Sequence, residues 1–186
     1  LPIAIGLLLA TNVIQSQTHK KLLFAGELAL DGRLRPIKGA INLAILAKSL
    51  KFDGVVVPVE NASEAAAVGD INVYPADSLA SVIGFLNGTH ELEPHHEIDV
   101  ERLLVEEQTT IDFSDIKGQE AAKRAMLVAA AGGHNILMIG PAGSGKTMMA
   151  RALAGVLPPL SRDEALDVTR IYSSVGLVPK GQPILT

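Results

Sequence analysis

The chain has 186 residues, a formal net charge of −4, 48% hydrophobic residues and no cysteine. That length suits one or two domains, and with 3% aromatics and no Trp their core must be aliphatic. The composition excludes disulfides and thiolate metal sites, fits a reducing cytoplasm, and carries no overall basic footprint for nucleic acid.

In chain order, Leu1 to Gln15 reads as a mostly apolar helix. The run Leu1 to Ala10 is too short to span a bilayer, and it lacks the basic start and small-residue cleavage site of a signal peptide. It is expected to be a buried helix, with the sequence starting inside a longer protein. Leu22 to Leu30 reads as a strand, Asp31-Gly32 as a tight hairpin turn, and Arg33 to Ile37 as the return strand. Gly39 to Leu50 reads as a second helix. The β-branched Val55-Val56-Val57, bounded by Gly54 and Pro58, reads as a buried strand. Asn61-Ala62-Ser63-Glu64 reads as a helix start, with Asn61 as cap and Glu64 reaching back. A strand over Ile71 to Tyr74 and a helix over Ser78 to Leu86 complete an α+β unit with mixed pairing, residues 1–87.

Residues 88–110 read as an acidic, solvated linker with one helical turn near Val100 to Val105. Seven acidic residues face one arginine between Gly88 and Glu107. His90, His95 and His96 beside Glu93 and Glu97 include metal-ligand types, but adjacent histidines converge poorly, and a polar linker is the plainer reading.

Residues 111–186 hold the motif with the most chemistry. Asp112 to Gln119 leads into a helix from Glu120 to Ala131, then a strand-like Ile136-Leu137-Met138-Ile139. Next comes Gly140-Pro141-Ala142-Gly143-Ser144-Gly145-Lys146-Thr147, followed by Met148 and a helix ending at Gly155. This is G-x-x-x-x-G-K-[ST] between strand-like and helix-like segments, the signature of a phosphate-binding loop. Its glycines let backbone amides curl around a triphosphate, and the helix start adds free N–H groups and the positive end of its dipole. Lys146 is expected to reach the β- and γ-phosphates, and Thr147 to give its hydroxyl to Mg²⁺. The alternative is a glycine-rich turn that binds nothing. Beyond Leu157-Pro158-Pro159-Leu160, Ser161-Arg162-Asp163-Glu164 reads as a capping box opening another helix.

Asp115-Ile116-Lys117-Gly118-Gln119, His134 to Gly140, the loop and Leu157 to Leu160 together resemble the AAA+ ATPases related to magnesium chelatase, more narrowly the ComM/YifB-type competence proteins. The resemblance implies an α/β P-loop NTPase domain beginning near 111, with Ile116 and Gly118 along the adenine and Gly140 to Met148 on the phosphates. Gly26 to Ile37 resembles the Lon-protease-like domain of ribosomal-S5 fold that precedes the ATPase in such proteins. In Lon proteases the following helix carries a catalytic lysine, and Ile41 stands in its place, so no base is available for a serine nucleophile. An AAA+ module needs roughly 200 residues or more, and about 75 follow Thr110. Walker B, sensor and arginine-finger residues are therefore expected beyond Thr186, leaving Lys146 as the one catalytic residue in this sequence.

The resemblance implies a cytoplasmic, hexamer-forming motor that binds ATP with Mg²⁺ and acts on DNA by unwinding or branch migration. A porphyrin metal-chelatase motor is the second reading. A nucleotide-binding module without turnover is the third, and it is the expectation for these residues alone. Lys20, Lys21, Arg33, Arg35 and Lys38 form a basic cluster around the hairpin that could meet a phosphate backbone, or could be ordinary charged surface.

Overall fold

The structure, a computed structural model, describes residues 1–96, 98–106, 111–179 and 181–185. Two compact units emerge: residues 1–101 together with 161–185, and residues 102–160. The architecture is α+β, with a small parallel sheet covered by helices.

The first unit opens with α1 (Pro2–Ala10), which carries proline in its first turn, where no intrahelical donor is needed. The expected strand from Leu22 to Leu30 is in fact two. β1 (Leu22–Phe24) joins the parallel sheet, while β2 (Glu27–Leu28) pairs antiparallel with β3 (Leu34–Arg35) around the Asp31-Gly32 turn. Gly26 separates them at φ 154°, packed against the Pro58 ring, so the chain changes partner at a residue without a side chain.

α2 (Ala40–Ser49), β4 (Gly54–Pro58), α3 (Ala62–Ala66), β5 (Asn72–Ala76) and α4 (Leu79–Leu86) follow. The sheet order is β1-β4-β5, all parallel, with Val55 opposite Leu23 and Val73. β4 is buried along its whole length because helices cover both faces, and its continuous valine run reflects that. Val55 and Val57 face Ile41, Ala44 and Ala47 of α2 and the alanines of α3, whereas Val56 faces Ile5, Ile14, Val82 and Leu86.

Asn61 and Glu64 do not cap α3. A short 3-10 turn over Val59–Asn61 runs straight into the helix, and Asn61 is itself helical, so its side chain is not placed to cap. Instead Asn61 accepts from the Ile37 amide and donates to its carbonyl, both at 2.9 Å, while Glu64 accepts from the Ile41 amide at 3.1 Å. By contrast, Ser78 caps α4 with Ser81 in a reciprocal box.

Where composition suggests a solvated stretch after Gly88, the chain runs back along this unit. Leu92 and Val100 are buried, and the His95 amide donates to the Val73 carbonyl at 2.7 Å, on the edge strand β5. Glu97, Glu107 and residue 110 lie outside the described residues. No metal-binding cluster of His and acidic residues occurs among the described residues.

Asp77, just past β5, takes hydrogen bonds from Ser81 and Ser78 that hold its carboxyl below the usual 3.8. A pKa lowered by folding contributes stability above the unfolded value, and that contribution disappears as pH falls. The melting-temperature gap between the protein and Asp77→Asn should therefore be constant from pH 7 to about 5 and shrink progressively as pH falls below about 4. A gap that does not shrink at all on acidification below about pH 4 would show that the charge is not its origin.

The second unit contains the end of α5 (Val100–Glu106), then α6 (Glu120–Gly132) and α7 (Lys146–Ala152). α8 (Arg162–Val175) belongs to the first unit. No helix among the described residues is long and apolar enough to cross a membrane.

Candidate nucleotide-phosphate site

The phosphate loop is carried by a small core in the second unit. Asp112 caps a 3-10 turn through Ser114, a contact that lowers the Asp112 pKa from 3.8, and the turn delivers Ile116 into the interior. Ile116 is buried with Met126 of α6 and with Met149 and Ala152 of α7, and Met138 packs alongside. The Ile116 side chain is thus committed to the core that anchors α7. Gly118 is exposed at φ 69°, with nothing within 4 Å of a notional Cβ.

Ile136 to Ile139 departs from the expected strand. It takes no sheet pairing among the described residues, and Leu137 and Ile139 are 83% and 88% exposed. Extended backbone becomes a strand only by hydrogen bonding to a neighbour, and the sheet β1-β4-β5 lies wholly in the other unit.

Two of the loop's three glycines are left-handed, and Gly140 is not. Gly143 and Gly145 adopt φ of 77° and 82°, values that L-residues avoid, and the space beside both is open. The backbone, not crowding, demands glycine there. α7 begins at Lys146, and the amides of Gly143, Gly145, Lys146 and Thr147 have no acceptor among the described residues. Pro141, Ala142, Thr147 and Met148 are exposed, and the Thr147 hydroxyl makes no hydrogen bond among the described residues. Lys146 Nζ donates to the Gly140 carbonyl at 2.9 Å, the Pro141 carbonyl at 2.7 Å and Ser144 Oγ at 3.1 Å. The ammonium's three donors thus rest on oxygens of its own loop. Free amides, a lysine on exchangeable acceptors and an exposed hydroxyl at a helix start make a donor set that fits a polyphosphate with its cation.

The hairpin cluster is different. Arg33 pairs with Asp31 at 2.7 Å, Arg35 with Glu27 at 3.6 Å and Lys21 with Asp53 at 3.5 Å, so these cations face carboxylates of their own unit. Sequence reasoning also missed a buried polar cluster in the first unit. Ser173 of α8 donates to Glu64 Oε1 and accepts from the Gly39 amide at 2.9 Å. Its signal was the four-residue spacing Ala165, Thr169, Ser173, a small-residue stripe that asks for a close neighbour.

Two family profiles match, one described as magnesium chelatase, subunit ChlI, over residues 112–186, the other as subunit ChlI of Mg-chelatase, over residues 1–61. These matches support a magnesium-chelatase-like protein of ComM/YifB type. Similarity runs to the competence protein ComM of Haemophilus influenzae, 42% identical over 94% of this chain and 34% of the relative. The YifB proteins of Salmonella typhimurium and Escherichia coli are likewise 42% identical, over the same shares. The chain therefore spans about a third of the length of these curated relatives.

Proposed function

We propose that this chain supplies the phosphate cradle of a ring-forming ATPase that moves on DNA. The observation that carries the reading is the loop from Gly140 to Thr147: two left-handed glycines, amides without an acceptor among the described residues, and Lys146 poised on replaceable oxygens. In this reading the amides of Gly143, Gly145, Lys146 and Thr147 hold phosphate oxygens, and Lys146 leaves the Gly140 and Pro141 carbonyls to meet the β- and γ-phosphates. The Thr147 hydroxyl holds Mg²⁺, which would neutralise charge building on the transferring phosphoryl group. Pro141, Ala142, Ser144 and Met148 frame the cradle, and the adenine lies along the backbone of Ile116 and Gly118, the Ile116 side chain staying in the core. Lys146 is the catalytic residue within this stretch.

Residues 1–87 act in this proposal as a Lon-like domain of S5 fold, 88–110 as the connection, and 111–186 as the opening of the ATPase domain. Turnover, hexamer formation and a cytoplasmic location belong to the whole protein, with ATP shared between neighbouring subunits. The DNA partner follows from the resemblance to ComM-type proteins. The paired cations of the hairpin argue against that patch as the contact. The full-length protein should unwind branched DNA when Mg-ATP is present. Hexamers that hydrolyse ATP yet leave branched DNA intact would defeat the DNA-motor reading. The description shared by both family profiles favours a second reading, a chelatase motor. Metal insertion into a porphyrin with partner subunits separates the two.

A further inference from the structure

The Lys146 ammonium has three hydrogens, and the three acceptors that take them differ in kind. The Gly140 and Pro141 carbonyls, at 2.9 and 2.7 Å, belong to the main chain and stay wherever the loop stays. Ser144 Oγ, at 3.1 Å, sits on a side chain that turns about one bond. No carboxylate pairs with Lys146 among the described residues.

Ser144 is held in place for this contact. Its amide donates to the Pro141 carbonyl at 3.4 Å, closing a turn. Its Oγ lies 3.2 Å from where a Cβ on Gly140 would stand. Gly140 is not left-handed, so its backbone does not ask for glycine, and the room beside it is taken by the Ser144 hydroxyl. That hydroxyl accepts from Lys146 and gives its own proton to nothing among the described residues. Both residues lie in the second unit, on the loop itself.

We infer that Ser144 is a positioning residue for Lys146 whose hydroxyl stands in for a phosphate oxygen: it holds the third N–H of the ammonium in the nucleotide-free loop and releases it when a polyphosphate arrives. The inference rests on the ATP-binding reading above and adds what keeps the lysine in register while the site is empty. A neutral hydroxyl is a weaker acceptor than a charged phosphate oxygen, so the exchange runs toward the ligand. Each resting bond that Lys146 gives up is subtracted from what nucleotide binding gains. Ser144 supplies the one bond of that resting set that a side-chain substitution removes.

Two measurements on the full-length protein test this. Acylation of Lys146 by N-hydroxysuccinimidyl acetate, read by peptide mass spectrometry without nucleotide, reports the resting bond. Exposed Lys51 of the first unit serves as internal standard. Reaction needs a free amine, so every bond that holds Lys146 in the loop slows it. Ser144→Ala should raise the Lys146 rate about twofold or more, and should tighten binding of a fluorescent Mg-ATP analogue about two- to tenfold, the worth of one exchanged hydrogen bond. Ser144→Thr keeps the hydroxyl and should return both quantities to those of the unaltered protein. Gly140→Ala crowds the hydroxyl and should raise the labelling rate by a smaller factor, and it serves if Ser144→Ala fails to fold. Unchanged labelling in folded Ser144→Ala, or analogue binding that is unchanged or weaker, overturns the role of Ser144 and leaves the ATP reading intact. Absence of analogue binding by the unaltered protein overturns both.

Discussion

Lys146→Ala should weaken nucleotide binding about 10- to 150-fold, the equivalent of losing charge-assisted hydrogen bonds worth about 1.5–3 kcal/mol. The side chain already finds three oxygens in its own loop, at 2.7–3.1 Å, so its reach and direction are set before ligand arrives. Part of its worth on nucleotide must offset those resting bonds, which are neutral carbonyls and a hydroxyl. Phosphate oxygens carry charge and win that competition. Alanine also removes the loop's resting brace, so the substitution acts on both states. Titration of the full-length variant with a fluorescent ATP analogue checks this, with circular dichroism to verify folding. An unchanged dissociation constant in a folded variant would mean the loop does not hold phosphate through Lys146.

The second large effect is expected in the first unit. Ile41 is fully buried among Ala44, Val55 and Val57. Ile41→Ala should cost about 2–5 kcal/mol, the range for opening a cavity in an aliphatic core. The buried neighbours are largely alanines, with Ala44, Ala47, Ala62 and Ala65 all at 2% exposure or less, and these cannot extend into the gap. Ile41→Lys should strongly destabilise the unit, because its side chain would enter a fully buried aliphatic cluster. Denaturant unfolding of the first unit, followed by its own transition, reads both. An Ile41→Lys variant as stable as the original would mean the site is open to water.

The features legible from sequence were those set by neighbours in the chain. The glycine pattern of the phosphate loop, the Ser161 capping box and the valine run of β4 each depend on a few adjacent residues. What failed depended on distant partners. Asn61 and Glu64 have the spacing of a cap, but amides at Ile37 and Ile41, more than twenty residues away, claim both side chains. Ile136 to Ile139 has the composition of a strand, and composition cannot say which strands lie beside it. The acidic count after Gly88 hid Leu92 and Val100, two apolar residues that are buried in the structure. Ser173 and Gly39 are 134 positions apart, and nothing local in either announces the other.

The order in which the first unit's pieces occur along the chain has a consequence for biosynthesis. Its first hundred residues leave the ribosome before the helix that completes it, and roughly sixty residues intervene. At about 5–20 residues per second that is a wait of about 3–12 seconds. During it the Gly39 amide and the Glu64 carboxylate face water or a chaperone, and the nascent half stays unfinished until its last helix arrives to close it.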